Sequence, residues 1–472
     1  MPLFVGRQQY RKLVVLLDAD VLAHADNSVW SKEYLLDGLL TLDVITCFRY
    51  DDDGPPADVI RMDDGEMGQS VPGWAVLGPD NGWGYRAVRT ASDQQISDHA
   101  VIGNAADAAA GDTRTDVYKD RDPAAAAAQR HADVLAALVA NAIEADLFIT
   151  NRPYLHQTSR NVADGVTFLN VDQALATIGL YLRAQGQYVT SRSPQRGGSH
   201  TMNRGLFFWV GTRELLPSAW RWFTACVQHS TGGGDDGLLY LGQSVLQRVE
   251  RALQGRDEVH IRLNKPQNND TADEALSSLD VVLLFLMGAV DATARVAHSV
   301  LGLTSQAYLA GWQRNDWITE VTVAAPTLGA LFQPRTAELH THTILRLLRN
   351  SIHGAALQAI GVRQGRRRNR TLVGLPASDE PTLRAAFTAL GGLADWGVEE
   401  LVPGRLHLDP GVFLEHLFPR VLAMLNKIMD QTPVERLAYV SLQPGDCLPP
   451  AASQLDPFFE MNRQSVRWQL GL

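Results

Sequence analysis

The chain has 472 residues, of which 45% are hydrophobic and 20% are charged. A chain of this length usually forms two or three domains, each large enough to bury its own apolar interior. The composition is typical of a globular protein and excludes a fibrous or largely disordered chain. The formal net charge of -10 argues against a protein that coats nucleic acid non-specifically, because such binding depends on cations that neutralise phosphates. The net charge does not exclude local contacts between basic residues and phosphate groups.

Cysteine usage and apolar runs indicate the cellular compartment. The three cysteines, Cys47, Cys226 and Cys447, are far apart and show no CxxC spacing, so neither a disulfide framework nor a zinc site is indicated. The N-terminal residues lack the apolar segment and cleavage site of a signal peptide. The longest apolar run, 281–290, is shorter than a membrane span. We therefore expect a cytoplasmic protein that does not contact a membrane.

The first part of the chain alternates between strand and helix patterns. The run LVVLL at 13–17 is apolar and rich in branched residues, and Asp18 follows it, which is typical of a buried strand with a polar end. The other predicted elements are a helix at 31–42, loops or a variable insertion at 50–125, a helix at 123–144 and a strand at 145–150. Strands that alternate with helices predict a parallel α/β sheet, whose strand carboxyl ends are the usual place for ligands.

From residue 206 onward the pattern is mostly helical. Helices are predicted at 213–230, 235–254, 272–302, 335–361, 379–393 and 410–430, and the Ser-, Arg- and Gly-rich stretch at 185–205 predicts a linker. The expected organisation is an α/β domain with a parallel sheet at 1–185, a linker and helical connector at 186–270, an all-α domain at 271–435 and a C-terminal tail at 436–472.

Carboxylates near the first strand form one candidate site. Asp18 and Asp20 alternate at the end of the strand and point to the same side if the strand continues. Asp133 lies on the helix whose following strand returns to the sheet, and Glu33 or Asp37 could complete the set. Converging carboxylates are the ligands that Mg²⁺ requires. The alternative is that Asp18 caps a turn at the strand end.

The segments LVVLLDADVL and DVLAALVANAIEADLFITNR resemble the first strand and a late helix-strand unit of PIN-domain ribonucleases. The resemblance implies a PIN-like fold at residues 12–42 and 125–183, in which acidic residues hold Mg²⁺ or Mn²⁺ and the metal activates water. It assigns Asp18 as the first acid, Asp133 as the helix acid and Thr150 as the strand-end threonine. The sequence departs from the family after Thr150, where Asn151 and Arg152 stand in place of the usual Asp.

A second candidate site lies on the helix predicted around ELHTHTILRLLRNSIHGAALQAIG. At 100° per residue its leucines, isoleucines and alanines form one apolar stripe. His342, Arg346, Arg349 and His353 fall within about a 60° arc along one border of that stripe. Cations at a core boundary need anions, so the arginines either bind phosphate or pair with acids of the chain itself. The candidate acids are Asp280, Asp291 and Glu338.

The segment LLRNSIHG resembles the signature helix of HEPN ribonucleases, in which an arginine precedes a histidine by four to six intervening positions. Arg346 has that spacing to His353, while Arg349 with Asn350 supplies the arginine-polar pair. The resemblance implies metal-independent chemistry, with His353 as general acid or base for attack by the ribose 2′-hydroxyl and an arginine stabilising the phosphate charge. It also implies a homodimer. The preceding helix adds Asp291, Arg295 and His298 as neighbours.

The basic run RQGRRRNR at 363–370 is either a phosphate-binding segment or a solvated loop. We group its Arg366, Arg367 and Arg368 with His342 as candidate substrate-binding residues. The resulting hypothesis is a cytoplasmic, homodimeric endoribonuclease in RNA metabolism, stress response or phage defence, which acts without a cofactor at the HEPN-like site. The alternatives are a non-catalytic dimeric adaptor or RNA-binding protein, and a metal-dependent PIN-type nuclease that uses Asp18, Asp20, Asp133 and Glu33.

Overall fold

The computed structural model describes residues 11–23, 31–54, 73–77, 85–91, 94–101, 104–113, 117–157, 163, 165–193, 198–354, 356–362, 370–448 and 457–472. The chain divides into two compact units. Unit 1 comprises Met1–Met202 with Trp468–Gly471, and unit 2 comprises Asn203–Arg467 with Leu472. The boundary lies within the predicted linker at 185–205, and the predicted tail at 436–472 is shared between the units.

Unit 1 contains strands and helices in alternation. Its described strands are β1 (Leu13–Asp18), β2 (Ile45–Tyr50), β3 (Ala75–Leu77), β4 (Tyr85–Ala91), β5 (Gln94–Val101), β6 (Leu147–Ile149), β7 (Thr167–Leu169), β8 (Val189–Arg192) and β9 (Ser199–Thr201). Its helices are α1 (Asp20–Ala23), α2 (Lys32–Leu40), α3 (Asn104–Ala110), α4 (Pro123–Ala142), α5 (Pro153–Gln157) and α6 (Val171–Ala184).

A parallel sheet in the order β2-β1-β6-β7 forms the centre of unit 1, which confirms the predicted α/β architecture. Successive side chains of a strand point to opposite faces, and the two faces of β1 pack into different cores. Leu16 joins Phe148 and Val134 of α4 in one cluster, while Leu17 joins Leu36 of α2 in the other. Helices therefore cover both faces of the sheet.

Two smaller sheets occur where the sequence predicts irregular structure. Strands β3, β4 and β5 pair as an antiparallel sheet inside the stretch 50–125, and β8 pairs with β9 inside the predicted linker. Segments such as YRAVRTA contain few branched apolar residues, so they show no clear alternation of apolar and polar positions. The pairing of these strands, rather than their local propensity, defines them.

Unit 2 is largely helical. Its helices are α7 (Arg204–Leu215), α8 (Ala219–Thr231), α9 (Asp236–Leu263), α10 (Asn269–Leu301), α11 (Asn315–Ala324), α12 (Pro326–Ala330), α13 (Ala337–Ser351), α14 (Glu380–Ala389) and α15 (Pro410–Gln431), and α16 (Pro457–Leu470) begins in it. The longest two, α9 and α10, pack along each other as a helical hairpin. The predicted helix at 213–230 is two helices, because Pro217 lies between α7 and α8.

The expectation of an all-α domain at 271–435 needs correction. Strands β10 (Gln358–Val362), β11 (Arg370–Gly374), β12 (Val398–Val402) and β13 (Arg405–Leu408) form an antiparallel sheet in the order β10-β11-β13-β12. Helix α13 ends at Ser351 rather than at 361, and the residues from Gln358 instead pair with β11. The apolar residues of this segment are spaced as in a helix. The segment nevertheless forms a strand, because it pairs with β11, which lies further along the chain.

By length and composition alone, α10 is long and apolar enough to cross a membrane, and half of its most apolar stretch is buried inside the structure. The apolar run 281–290 itself is bounded by Asp280 and Asp291, and α10 passes this test because it continues beyond both residues. A core helix of a globular unit passes the same test. Residues such as Leu283, Leu286 and Val290 are fully buried, as a core helix requires.

Gly38 provides a test of the packing in unit 1. A Cβ at Gly38 of α2 would overlap the backbone carbonyl of Arg192 in β8, so Gly38→Ala must move the helix or the strand. We expect Gly38→Ala to lower the free energy of unfolding by about 1–3 kcal/mol, as overpacking does. At Gly111 an added Cβ meets nothing closer than 3.9 Å, so Gly111→Ala should be neutral or slightly stabilising. Chemical denaturation of both variants measures the difference, and equal effects would contradict the close approach.

Candidate functional site

Three carboxylates of unit 1 converge on one arginine. Asp18 ends β1, Asp52 lies just beyond β2, and Asp133 lies on α4; Arg152 follows β6. The carboxyl ends of adjacent parallel strands meet at one edge of the sheet, and α4 crosses that edge with Asp133 fully buried. We call Asp18, Asp52 and Asp133 the acidic cluster.

The guanidinium of Arg152 contacts all three carboxylates. Its Nε donates to Asp18 Oδ2 at 2.6 Å and its Nη2 donates to Asp18 Oδ1 at 3.2 Å, which is the two-pronged geometry of strong arginine-carboxylate pairs. Its Nη1 lies 3.1 Å from Asp52 Oδ2 and 3.4 Å from Asp133 Oδ1. The Thr150 hydroxyl donates to Asp18 Oδ2 at 2.7 Å. One cation is thus shared by three anions.

Burial and charge act in opposite directions at this cluster. Burial lowers the pKa of Arg152, but hydrogen bonds and charges of Asp18 and then Asp52 outweigh it and raise that pKa above its usual value. Burial raises the pKa of Asp133, against hydrogen bonds from Tyr118 and Gln129 and the charge of Arg152. Arg152 therefore stays protonated, and its charge and hydrogen bond oppose the effect of burial on the pKa of Asp133.

This arrangement does not fit a divalent metal. The guanidinium lies between the carboxylates and uses the oxygens that would bind Mg²⁺ or Mn²⁺. Within the described residues, no group of three or more His, Cys, Asp or Glu side chains is arranged to hold a metal ion. The space predicted for the metal is thus occupied by the guanidinium of Arg152, a cation of the protein itself.

The other predicted metal ligands lie apart from this centre. Asp20 is exposed and begins the short helix α1. Glu33 lies in the first turn of α2, where it is half-buried, and none of its described contacts is with the acidic cluster. Asp37 faces Arg49, with Oδ1 3.5 Å from Nη2. Of the four predicted ligands, the structure brings together Asp18 and Asp133.

In unit 2, α13 carries the predicted Arg/His signature. Thr336 caps the helix by accepting a hydrogen bond from the Leu339 amide, and Ile344, Leu345 and Leu348 form its fully buried face. The helix ends at Ser351, so His353 lies in the following turn and is exposed. The predicted single border of four cationic residues is therefore interrupted.

Arg349 lines a cavity of about 360 Å³ together with Arg248, Asp291 and Arg295. We call it the Arg349 cavity. Its other walls are apolar and include Phe285. Three guanidinium groups face one carboxylate, a net charge of +2, and among the described residues none of the three arginines forms an ion pair within 4.0 Å. The site has the charge of an anion-binding groove.

Asp291 is the one acid in this cavity. Burial raises its pKa, while the charges of Arg349, Arg295 and Arg248 act in the opposite direction. Asn350, the next residue after Arg349, is exposed, and its Oδ1 accepts a hydrogen bond from Arg349 Nη1 at 3.2 Å. The predicted neighbours Asp291 and Arg295 are thus part of the site. The side chain of His298 is not, because it is buried and its Nδ1 accepts from Trp317 Nε1 at 3.2 Å.

Arg346 and His342 line a different cavity, of about 350 Å³, which we call the His342 cavity. His342 is 1% exposed, its ring contacts Phe332 edge-on, and its Nε2 has no hydrogen-bond partner among the described residues. Burial, and then the charge of Arg346, lowers the pKa of His342 to about 4. Arg346 and Arg349, the two arginines of the predicted Arg/His signature, thus line two separate cavities.

The remaining acids and cations named from the sequence do not form the predicted contacts, or lie outside the described residues. Glu338 pairs with Lys427, and neither Glu338 nor Asp280 pairs with Arg346 or Arg349 in the described structure. Arg366, Arg367 and Arg368 lie outside the described residues. Sequence reasoning missed Asp52, which a strand prediction at ITCFRY would have placed at the same edge as Asp18. It also missed Arg248, whose helix was predicted without attention to its polar face.

Comparison with protein-family models, with curated proteins and with solved structures gave no match to this chain. The PIN-like and HEPN-like resemblances therefore stay predictions, and the site is interpreted from its own geometry.

The buried ion pair of Arg152 gives a stability prediction. Arg152→Ala leaves three carboxylates without their cation, two of which are buried, so we expect a loss of about 3–5 kcal/mol in the free energy of unfolding. Adding Asp18→Asn should recover part of that loss, because it removes one of the unpaired charges. The control is Arg192→Ala, whose guanidinium bonds only to Thr41 at the surface. Additive effects of the Arg152 and Asp18 changes in urea denaturation would contradict the coupling.

His342 gives a pH prediction. In the unfolded chain His342 takes up a proton with its usual pKa of 6.5, but in the fold it does so only near 4. The unfolded state therefore binds more protons over this range, and stability falls as the pH is lowered from about 6.5 to about 4, by on the order of 3 kcal/mol for this group. His342→Leu should flatten that pH dependence, while the exposed His353→Leu should not. Equal profiles for the two variants would show that His342 is not held neutral.

Proposed function

We propose that this protein is a metal-independent endoribonuclease whose scissile phosphate binds in the Arg349 cavity. The observation that carries the proposal is the excess of guanidinium groups there, three against one carboxylate, none of which forms an ion pair among the described residues. Arg295 is exposed and Arg248 and Arg349 are half-buried, so they are accessible to a ligand, and their positive charge favours one that brings negative charge. A phosphodiester supplies one negative charge and paired oxygens that match a guanidinium.

The neighbouring side chains supply the remaining chemistry. His353 is exposed two residues after the helix end, so its ring is accessible to a bound strand. As general base it would take the proton of the 2′-hydroxyl, whose oxygen attacks the adjacent phosphorus. The bond to the 5′-oxygen of the next nucleotide then breaks, and that oxygen takes up a proton from water. Arg349 would stabilise the charge that develops on the phosphate oxygens. The step needs no metal, because a nucleophile is already present in the RNA.

Asp291 and Asn350 fit positioning roles in this proposal. Asp291 lies among Arg248, Arg295 and Arg349 and acts on them electrostatically, so it reduces the repulsion between the three cations before RNA binds. Asn350 accepts from Arg349 and thereby orients its guanidinium. The function also includes the homodimer that the HEPN-like resemblance implies, for which light scattering of the purified protein is the measurement.

Unit 1 is the second part of the proposal. The salt-bridged Arg152 supports a non-catalytic PIN-like unit, because the carboxylates that would hold a metal already share a cation. The adaptor alternative, a protein that binds RNA without cleaving it, shares this feature and differs only at Arg349 and His353. That alternative predicts buried, ion-paired Arg349 and His353, but His353 is exposed and Arg349 only half-buried.

Cleavage of a mixed RNA pool by the full chain tests the proposal. We expect cleavage in EDTA, a loss of roughly 100-fold or more for Arg349→Met and for His353→Ala, and products that end in a 2′,3′-cyclic phosphate. The control is Arg251→Met, an exposed arginine of α9 that lies over the Phe285 ring instead of lining the cavity. RNA binding without cleavage by the wild type would favour the adaptor. Cleavage that requires Mn²⁺ and survives His353→Ala would overturn the proposal.

A further inference from the structure

The His342 cavity has features that the proposed cleavage site does not use. Its volume of about 350 Å³ is within the range of small-molecule pockets and holds on the order of ten water molecules. It is thus much larger than a single phosphate ion. The polar groups in its wall are a guanidinium, an imidazole, three side-chain amides and a hydroxyl, from Arg346, His342, Gln313, Asn315, Gln333 and Thr343.

The buried imidazole of His342 has a ring nitrogen without a hydrogen-bond partner among the described residues. Buried polar atoms are nearly always hydrogen-bonded, and an unsatisfied one costs about 1–3 kcal/mol. Nε2 of His342 has no such bond among the described residues although the side chain is 1% exposed. Since His342 stays neutral at pH 7, its ring offers one donor and one acceptor rather than a charge.

Arg346 supplies the only cation in the wall of this cavity. The side chain is half-buried, and among the described residues it forms no ion pair with a carboxylate. A ligand that pairs with the charge of Arg346 therefore carries negative charge. A ligand that forms hydrogen bonds with His342 and the amides has donors and acceptors close together. Part of the wall is apolar and includes Ile318 and Leu339. The part of the ligand that contacts these residues should therefore be uncharged.

We propose that the His342 cavity binds a nucleotide, with the phosphate on Arg346 and the hydrogen-bonding edge of the base on His342 and the side-chain amides. A nucleobase edge presents donors and acceptors side by side, which asparagine and glutamine match in two-pronged fashion. The sugar and base provide the uncharged body that the cavity volume requires. This binding site lies beyond the proposed cleavage site and does not depend on it.

Arg346 and Arg251 make the test specific, because Arg251 is an exposed arginine of α9 that lines neither cavity. Isothermal titration of the full chain with AMP, GMP, CMP and UMP is compared with inorganic phosphate and with the unphosphorylated nucleosides. At least one mononucleotide should bind at least about tenfold more tightly than phosphate or its own nucleoside. Arg346→Met should weaken that binding by roughly 10- to 100-fold, and Arg251→Met should leave it within about twofold.

A second variant separates lost binding from lost folding. His342→Phe keeps a ring in the core but removes the hydrogen-bonding groups, so we expect it to bind the mononucleotide more weakly while its circular dichroism stays that of the wild type. The inference is wrong if no mononucleotide binds the wild type, if inorganic phosphate binds as tightly as the nucleotides, or if Arg251→Met weakens binding as much as Arg346→Met. RNA cleavage is not measured here, so failure of the proposed ribonuclease activity is read separately.

Discussion

The contact of Arg152 with Asp18, Asp52 and Asp133 is the interaction on which unit 1 depends. A buried guanidinium is stable only when anions and hydrogen bonds replace its water, and here they come from the end of β1, the residues after β2 and helix α4. The strand β6 carries Arg152 itself into this position. One side chain therefore fixes the relative positions of three strands and a helix at the edge of the sheet. The same guanidinium uses the carboxylate oxygens that a divalent ion would need as ligands.

Unit 2 uses its cations in the opposite way. In unit 1 anions outnumber the single arginine, whereas at the Arg349 cavity three arginines outnumber the single Asp291. The acids of unit 1 are in direct contact with Arg152, and these contacts stabilise the fold. The arginines of the Arg349 cavity form no ion pair within 4.0 Å among the described residues, so they favour an external anion. Helix α13 contributes one arginine to each of two cavities. Arg346 and Arg349 are about 60° apart around its axis, and they line separate cavities. This division supports the interpretation that one helix serves both a cleavage site and a nucleotide pocket.

The sequence identified those parts of the structure that local patterns determine. The run LVVLL predicted β1, the helix predicted at 31–42 corresponds to α2 (Lys32–Leu40), and Asp133 was predicted to come near Asp18. Asp52 was missed because its stretch shows no period and the strand before it was not recognised. Arg152 was noted as a departure from the PIN pattern, but a sequence does not show which carboxylates a guanidinium will reach.

The candidate site in unit 2 was predicted less completely, for a related reason. The HEPN-like resemblance named Asp291 and Arg295 of α10 as neighbours, and both line the cavity of Arg349. Helical spacing placed the cations of one helix along a single border. It failed at His353, because the apolar positions after Ser351 mimic a helix although the chain turns there to pair β10 with β11. Strand pairing between distant segments leaves no local pattern. The separation of Arg346 from Arg349 likewise depends on which neighbours pack on each side of α13.

Unit 1 is completed by residues from the far end of the chain. The side chain of Gln469 donates to the carbonyl of Val189, which it follows by 280 positions, and its own carbonyl accepts from Arg183 Nη1 at 3.0 Å. A ribosome makes these residues only after it has made the whole of unit 2. The nascent unit 1 can form its sheet early, but the buried guanidinium of Arg183 lacks this acceptor until synthesis reaches Gln469. The order of synthesis therefore delays the final packing of the first-made unit until after the second unit has emerged.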